Sequence, residues 1–207
     1  MSGLEILAAL ICLAAVAGLH YGVSWYNDNI WGPKQKRRLM ESGPLVQLSQ
    51  WGFKPFNNAF SGELIGGAAS VPVAFVGTVK DYAVEVSYGW TGKPHLIVRV
   101  FFGPVSRDYD AIMDAWHKQQ GIVANWKFGG DFFNPIVLFC APVYIDATLP
   151  YSASSPKASK LMMLVERITH ELQLLDRAPL EYAAACELAA DVLQESRRRS
   201  QNAGLKS

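Results

Sequence analysis

The chain lacks most of the features that announce a chemistry. Its three cysteines, at 12, 140 and 186, are odd in number, far apart and free of any C-x-x-C spacing. They suggest neither a disulfide framework nor a thiolate zinc site, and a reducing compartment suits them. Charge of either sign is not in excess: 19 Lys and Arg stand against 18 Asp and Glu, a net charge of +1. That balance argues against nucleic acid as a partner, which would need a strongly basic surface. No phosphate-cradling G-x-x-x-x-G-K-[ST], dinucleotide G-x-G-x-x-G, nucleophile elbow G-x-S-x-G or EF-hand loop occurs. His170-Glu171 is not followed by the second histidine of a zinc-protease helix, and the E-x-x-H pair of a di-iron bundle is absent. The four histidines, at 20, 95, 117 and 170, fall on four different segments and give no local support to a catalytic dyad. No catalytic residue is assigned and no cofactor is implied.

The chain is rich in apolar residues. Half of the 207 residues are hydrophobic and 18% are charged, which excludes a disordered chain and allows one domain with an appendage. Residues 6–19 carry no charge, and the apolar run continues past His20 to Tyr26. At ~1.5 Å per residue this stretch would cover about 31 Å, the thickness of a bilayer core. Tyr21, Trp25, Tyr26 and Trp31 stand at its far end, where aromatic rings meet headgroups. A cleavable signal peptide is the rival, since Ala15-Val16-Ala17 has the A-x-A form, yet residues 1–5 contain no Lys or Arg. A retained single transmembrane helix is therefore expected over 1–27. Lys34, Lys36, Arg37 and Arg38 follow it, in a basic connector over 28–44. By the positive-inside rule they place the N-terminus outside and the remainder in the cytoplasm, and they would also attract anionic lipid headgroups.

Within the apolar segment, Ala14, Gly18 and Gly22 recur every four residues on one helical face. Small residues at that spacing let a second helix approach closely, from another membrane subunit or from a copy of the chain itself. His20 lies near the aromatic belt and is read as a hydrated interfacial histidine rather than a haem or chlorophyll ligand.

The remaining chain predicts an α+β domain over 45–200, a small antiparallel sheet packed with helices, with 201–207 as a disordered tail. Leu45, Leu48 and Trp51 suggest a short helix ended by Gly52, followed by a loop through residue 70 and a strand over 71–79. Tyr82, Val84, Val86 and Tyr88 alternate with Ala83, Glu85 and Ser87, and Leu96, Val98, Val100 and Phe102 alternate with Ile97, Arg99 and Phe101. Read as a hairpin with Tyr88 opposite Leu96, they set Glu85 opposite Arg99, an ordinary cross-strand ion pair on the less buried face. Ser106 is expected to cap a helix over 107–119 that stops at Gly121. On that helix Asp110, Asp114 and His117 share a face; they are weak metal candidates, because a row of charges is usually just the wet side of a helix. Residues 136–145 read as one buried strand interrupted at Pro142, with Cys140 a core residue and not a nucleophile. Ser155-Pro156 should start a helix striped by Leu161, Val165, Ile168, Leu172 and Leu175, and a second helix over 180–198, rich in small residues, should pack against it as an αα-hairpin.

The reading that follows is a membrane-anchored accessory or scaffolding subunit that binds partner proteins through its span and its cytoplasmic domain. The alternatives are a membrane-tethered enzyme of unrecognised type and a small-ligand or lipid-binding module. A deep pocket holding His117 or His170 beside a carboxylate would favour an enzyme, and a broad exposed apolar patch would favour a subunit.

Overall fold

The computed structural model describes residues 3–26, 29–30, 34, 37, 41, 43–56, 74–90, 94–104, 106–126, 128, 136–150 and 157–204. These fall into two compact units, Met1–Gly43 and Pro44–Ser207.

The first unit contains helix α1, Gly3–Tyr26. Residues 11–23 of this helix include the polar His20 and lean on alanine and glycine. Among the described residues no helix is long and apolar enough to cross a membrane. This overturns the expected transmembrane anchor over 1–27, and with it the single-pass membrane localisation with an outside N-terminus and a cytoplasmic C-terminal domain.

The second unit is α+β. Helix α2, Pro44–Gln47, runs into a 3-10 turn, Leu48–Trp51, closed by Gly52 at φ +81°. Only glycine enters that left-handed region without a steric penalty. Strands β1 (Lys54–Phe56), β2 (Ala74–Val79), β3 (Tyr82–Trp90) and β4 (Pro94–Phe101) form a meander. Helix α3, Tyr109–Val123, precedes the hairpin of β5 (Val137–Cys140) and β6 (Tyr144–Pro150). The six strands lie in the order β1-β2-β3-β4-β6-β5, every neighbouring pair antiparallel. Helices α4, Ala158–Leu174, and α5, Tyr182–Gly204, complete the unit.

The hairpin register is the one the alternation predicts, with Tyr88 opposite Leu96 and Glu85 opposite Arg99. The burial is not. Both charged residues are fully buried, because the face that carries them, which also bears Ala83 and Phe101, is roofed by α5. Val84, Val86, Leu96, Val98 and Val100 lie on the opposite face, where α4 packs with its buried Leu161, Val165, Ile168 and Leu172. The two C-terminal helices thus sandwich the sheet, which corrects the αα-hairpin: the small residues of α5, Ala185 and Ala189, allow close approach to strands and not to α4. The N-cap expected at Ser155 lies outside the described residues.

Other boundaries differ as well. Asp108 caps α3 through its carboxylate on the Ala111 amide at 3.0 Å, and Ser106 Oγ in turn accepts from the Asp108 amide. The helix also runs through Gly121 to Val123, since an interior glycine weakens a helix by only about 1 kcal/mol. The apolar run 136–145 is two strands and not one, folded back at residues 141–143, and its first strand is a sheet edge with Val137 57% and Phe139 52% exposed.

Candidate functional site

Among the described residues, three places are candidates: a buried charged row, a cleft and an open helix surface. The first is built by strand register. β3, β4 and β6 set Glu85, Arg99 and Asp146 side by side on one face. Arg99 donates to Asp146 through Nε at 2.7 Å and a second guanidinium nitrogen at 2.8 Å, a bidentate fork. Its guanidinium lies 4.3 Å from the centre of the Tyr144 ring. From α5, Tyr182 donates its hydroxyl to Glu85 Oε2 at 2.6 Å and stacks edge-on against Phe101 and Phe56. Burial alone would lower the guanidinium pKa of Arg99, but the Asp146 fork outweighs it and the net shift is upward. The neighbouring acids move away from reactivity. Burial pushes the Tyr144 hydroxyl up to about 12 and raises the Cys186 thiol one turn beyond Tyr182. Burial also pushes Cys140 up to about 12, so neither thiol is activated as a nucleophile. The row is a buried lock that fixes α5 on the sheet.

The second place is a cleft of about 460 Å³ beside α3. Ala111, Asp114, Ala115, Lys118, Gln119 and Ile122 recur at three- and four-residue steps along one stripe of the helix and form its wall, with Leu175 and Arg177 facing them. Gln119 is buried, and neither its Nε2 nor the Arg177 Nε meets an acceptor. A buried donor left in this state costs about 1–3 kcal/mol. Tyr82 donates to the Arg177 carbonyl at 2.5 Å, which holds this segment to the sheet.

The third is α1. Ile11, Leu13, Val16 and Leu19 are 62–70% exposed, and they point around the helix rather than to one side. A Cβ added at Gly18 or Gly22 would meet no neighbouring atom within 4 Å, and these glycines line a shallow groove with Leu19, Val23 and Tyr26.

The residues singled out in the sequence meet different fates. Ala14, Gly18 and Gly22 sit on an open helix surface. Lys34 and Arg37 are exposed, while Lys36 and Arg38 lie outside the described residues. Asp110, Asp114 and His117 do not converge: Asp110 pairs with Arg199 at 2.5 Å, Asp114 borders the cleft, and the exposed His117 stacks on Trp116. Among the described residues no group of three or more His, Cys, Asp or Glu could hold a metal ion. Sequence reasoning missed Asp146, Tyr182, Gln119 and Arg177. Asp146 carried a signal, since Tyr144, Asp146 and Thr148 alternate with Ile145, Ala147 and Leu149. Gln119 and Arg177 carried none, because their pairing depends on how α3 meets the end of α4. Compared with protein-family models, curated proteins and solved structures, the chain matches none.

Proposed function

We propose that the protein is a non-catalytic accessory subunit that holds partner proteins, with α1 as its principal docking element. The observation that carries this reading is the uncovered apolar surface of α1, on which Ile11, Leu13, Val16 and Leu19 all remain exposed. Leaving a large aliphatic side chain in water forgoes about 1.5–3 kcal/mol of burial, so a helix of this composition gains by being covered. The open face at Ala14, Gly18 and Gly22 admits a second helix backbone, and close approach multiplies the dispersion contacts along the seam. The occupant is a helix of another subunit.

The chemistry elsewhere supports a non-catalytic role. His117 and His170 are exposed, and neither lines the cleft that holds Asp114. The buried thiols are raised in pKa, and the charged row is held in fixed bonds.

Gly18→Ile tests the reading. It makes α1 more apolar while blocking the close-approach face, so non-specific adhesion and specific docking move in opposite directions. The full-length protein and the variant are purified from their source in mild detergent and their co-purifying proteins compared, with circular dichroism to verify the α+β unit. The expected result is loss of a defined set of partners from the variant. Retention of the same partners at the wild-type yield would contradict the docking face.

A further inference from the structure

We propose that the cleft between α3 and the segment following α4 binds a small aliphatic monocarboxylate. This inference goes beyond the role assigned to α1 and stands on different residues. The cleft exists because two positions of the α3 stripe are alanines, Ala111 and Ala115, which leave about 460 Å³ against Leu175 and Arg177. Small-molecule sites occupy about 300–1,000 Å³.

Its polar groups are unbalanced in one direction. Gln119 and Arg177 come from separate elements and line the same cleft, and the buried Gln119 Nε2 and Arg177 Nε lack an acceptor. Buried donors in native proteins are nearly always paired, so two orphans on residues that line one space point to a missing acceptor. A carboxylate supplies two oxygens that accept without donating, and it matches a guanidinium geometrically. Lys118 borders the same space and adds positive charge. The last torsion of a glutamine is broad, so Nε2 can turn toward a seated ligand. Arg177 is held in place without one, through its carbonyl on Tyr82 and its guanidinium 6.0 Å from the centre of the Phe102 ring.

The remaining lining fixes the rest of the ligand. Ile122 and Leu175 with the two alanines offer an apolar wall for an aliphatic stem. Asp114 sets a negative charge at the border, which disfavours a dicarboxylate or a phosphate monoester. The same aspartate would accept an ammonium group, so the carboxylate can belong to a fatty acid or to an aliphatic amino acid.

Isothermal titration of the full-length protein with hexanoate, hexan-1-ol and leucine at neutral pH tests the site. Saturable one-to-one binding of hexanoate or leucine, with hexan-1-ol weaker by about tenfold or more, is expected. Tighter leucine identifies the amino acid as the source, and tighter hexanoate the fatty acid. Gln119→Leu keeps the volume and removes the donor; Ala115→Leu fills the cleft. Each should weaken binding by about tenfold or more, while the urea midpoint of Gln119→Leu holds or rises because an orphan donor has been removed. No saturable binding of either carboxylate, equal binding of hexan-1-ol, or unchanged binding in Ala115→Leu would each overturn the site. If Gln119→Leu does not fold, the wild-type comparison and Ala115→Leu decide.

Discussion

Arg99 shows how a residue readable in sequence takes on a different energetic meaning once its neighbours are known. Alternation alone set it opposite Glu85, which describes a surface pair of about 0.2–1 kcal/mol. Buried under α5 and forked to Asp146, it belongs to a different class of interaction. Removing one partner of such a pair strands a charge in the interior, so Asp146→Ala should cost about 3–5 kcal/mol in urea unfolding at neutral pH. A loss below 1 kcal/mol would mean that the row is not sequestered. Tyr182→Phe, which deletes one hydroxyl bond to Glu85, should cost less, about 1.5–3 kcal/mol. The buried weak acids set the response to alkali. Cys140 and Tyr144 both have folded pKa values near 12, above their ordinary values of 9.0 and 10.0. Above about pH 9 the unfolded chain therefore releases protons that the folded chain keeps. The stability these groups contribute is fully present below pH 9 and is lost as the pH climbs toward 12. Urea midpoints taken from pH 7 to 10.5 should be flat up to about 9 and then fall, with a shallower fall in Cys140→Ala.

At the scale of elements, the parts legible in the sequence were those whose periodicity is local. The β3–β4 register follows from alternation, because each apolar position must face an apolar partner once one face is buried. The stripe on α4 follows from its 3.6-residue period. The β5–β6 turn was hidden because an apolar run has no period to break, and both strands are apolar up to the fold at residues 141–143. Of the small residues on α5, Ala185 and Ala189 pack on strands while Ala183 and Ala184 are exposed, because composition does not say which face of a helix is covered or whether a helix or a strand covers it. The β2–β3 turn was equally silent. Lys80 and Asp81 both adopt positive φ, 48° and 68°, as a two-residue hairpin turn of type I′ requires, although neither is the glycine or asparagine that favours it. Asp81→Gly should therefore stabilise the unit by about 0.5–1 kcal/mol, read as a higher urea midpoint with an unchanged slope. Gly77 is the opposite case. A Cβ there would lie 2.6 Å from the buried Phe53 ring, so Gly77→Ala should destabilise by about 1–3 kcal/mol.

For the whole molecule, the two units separate the folded core from the proposed docking helix. The sheet, its two helical layers and the charged row all belong to Pro44–Ser207, while the uncovered apolar helix belongs to Met1–Gly43. The candidate docking residues Ala14, Gly18 and Gly22 were legible because small residues at a four-residue spacing mark a face wherever a helix forms. The cleft was not legible, since Gln119 and Arg177 meet only through tertiary packing. The most direct measurement of the docking role is a photo-crosslinking scan, with a photoreactive residue placed singly at each position from 13 to 23 of the full-length protein in its native cells. The account predicts discrete adducts with a partner protein that peak at positions 14, 18 and 22 and fade between them. Adducts of equal yield at every position, or none with any protein, would contradict it.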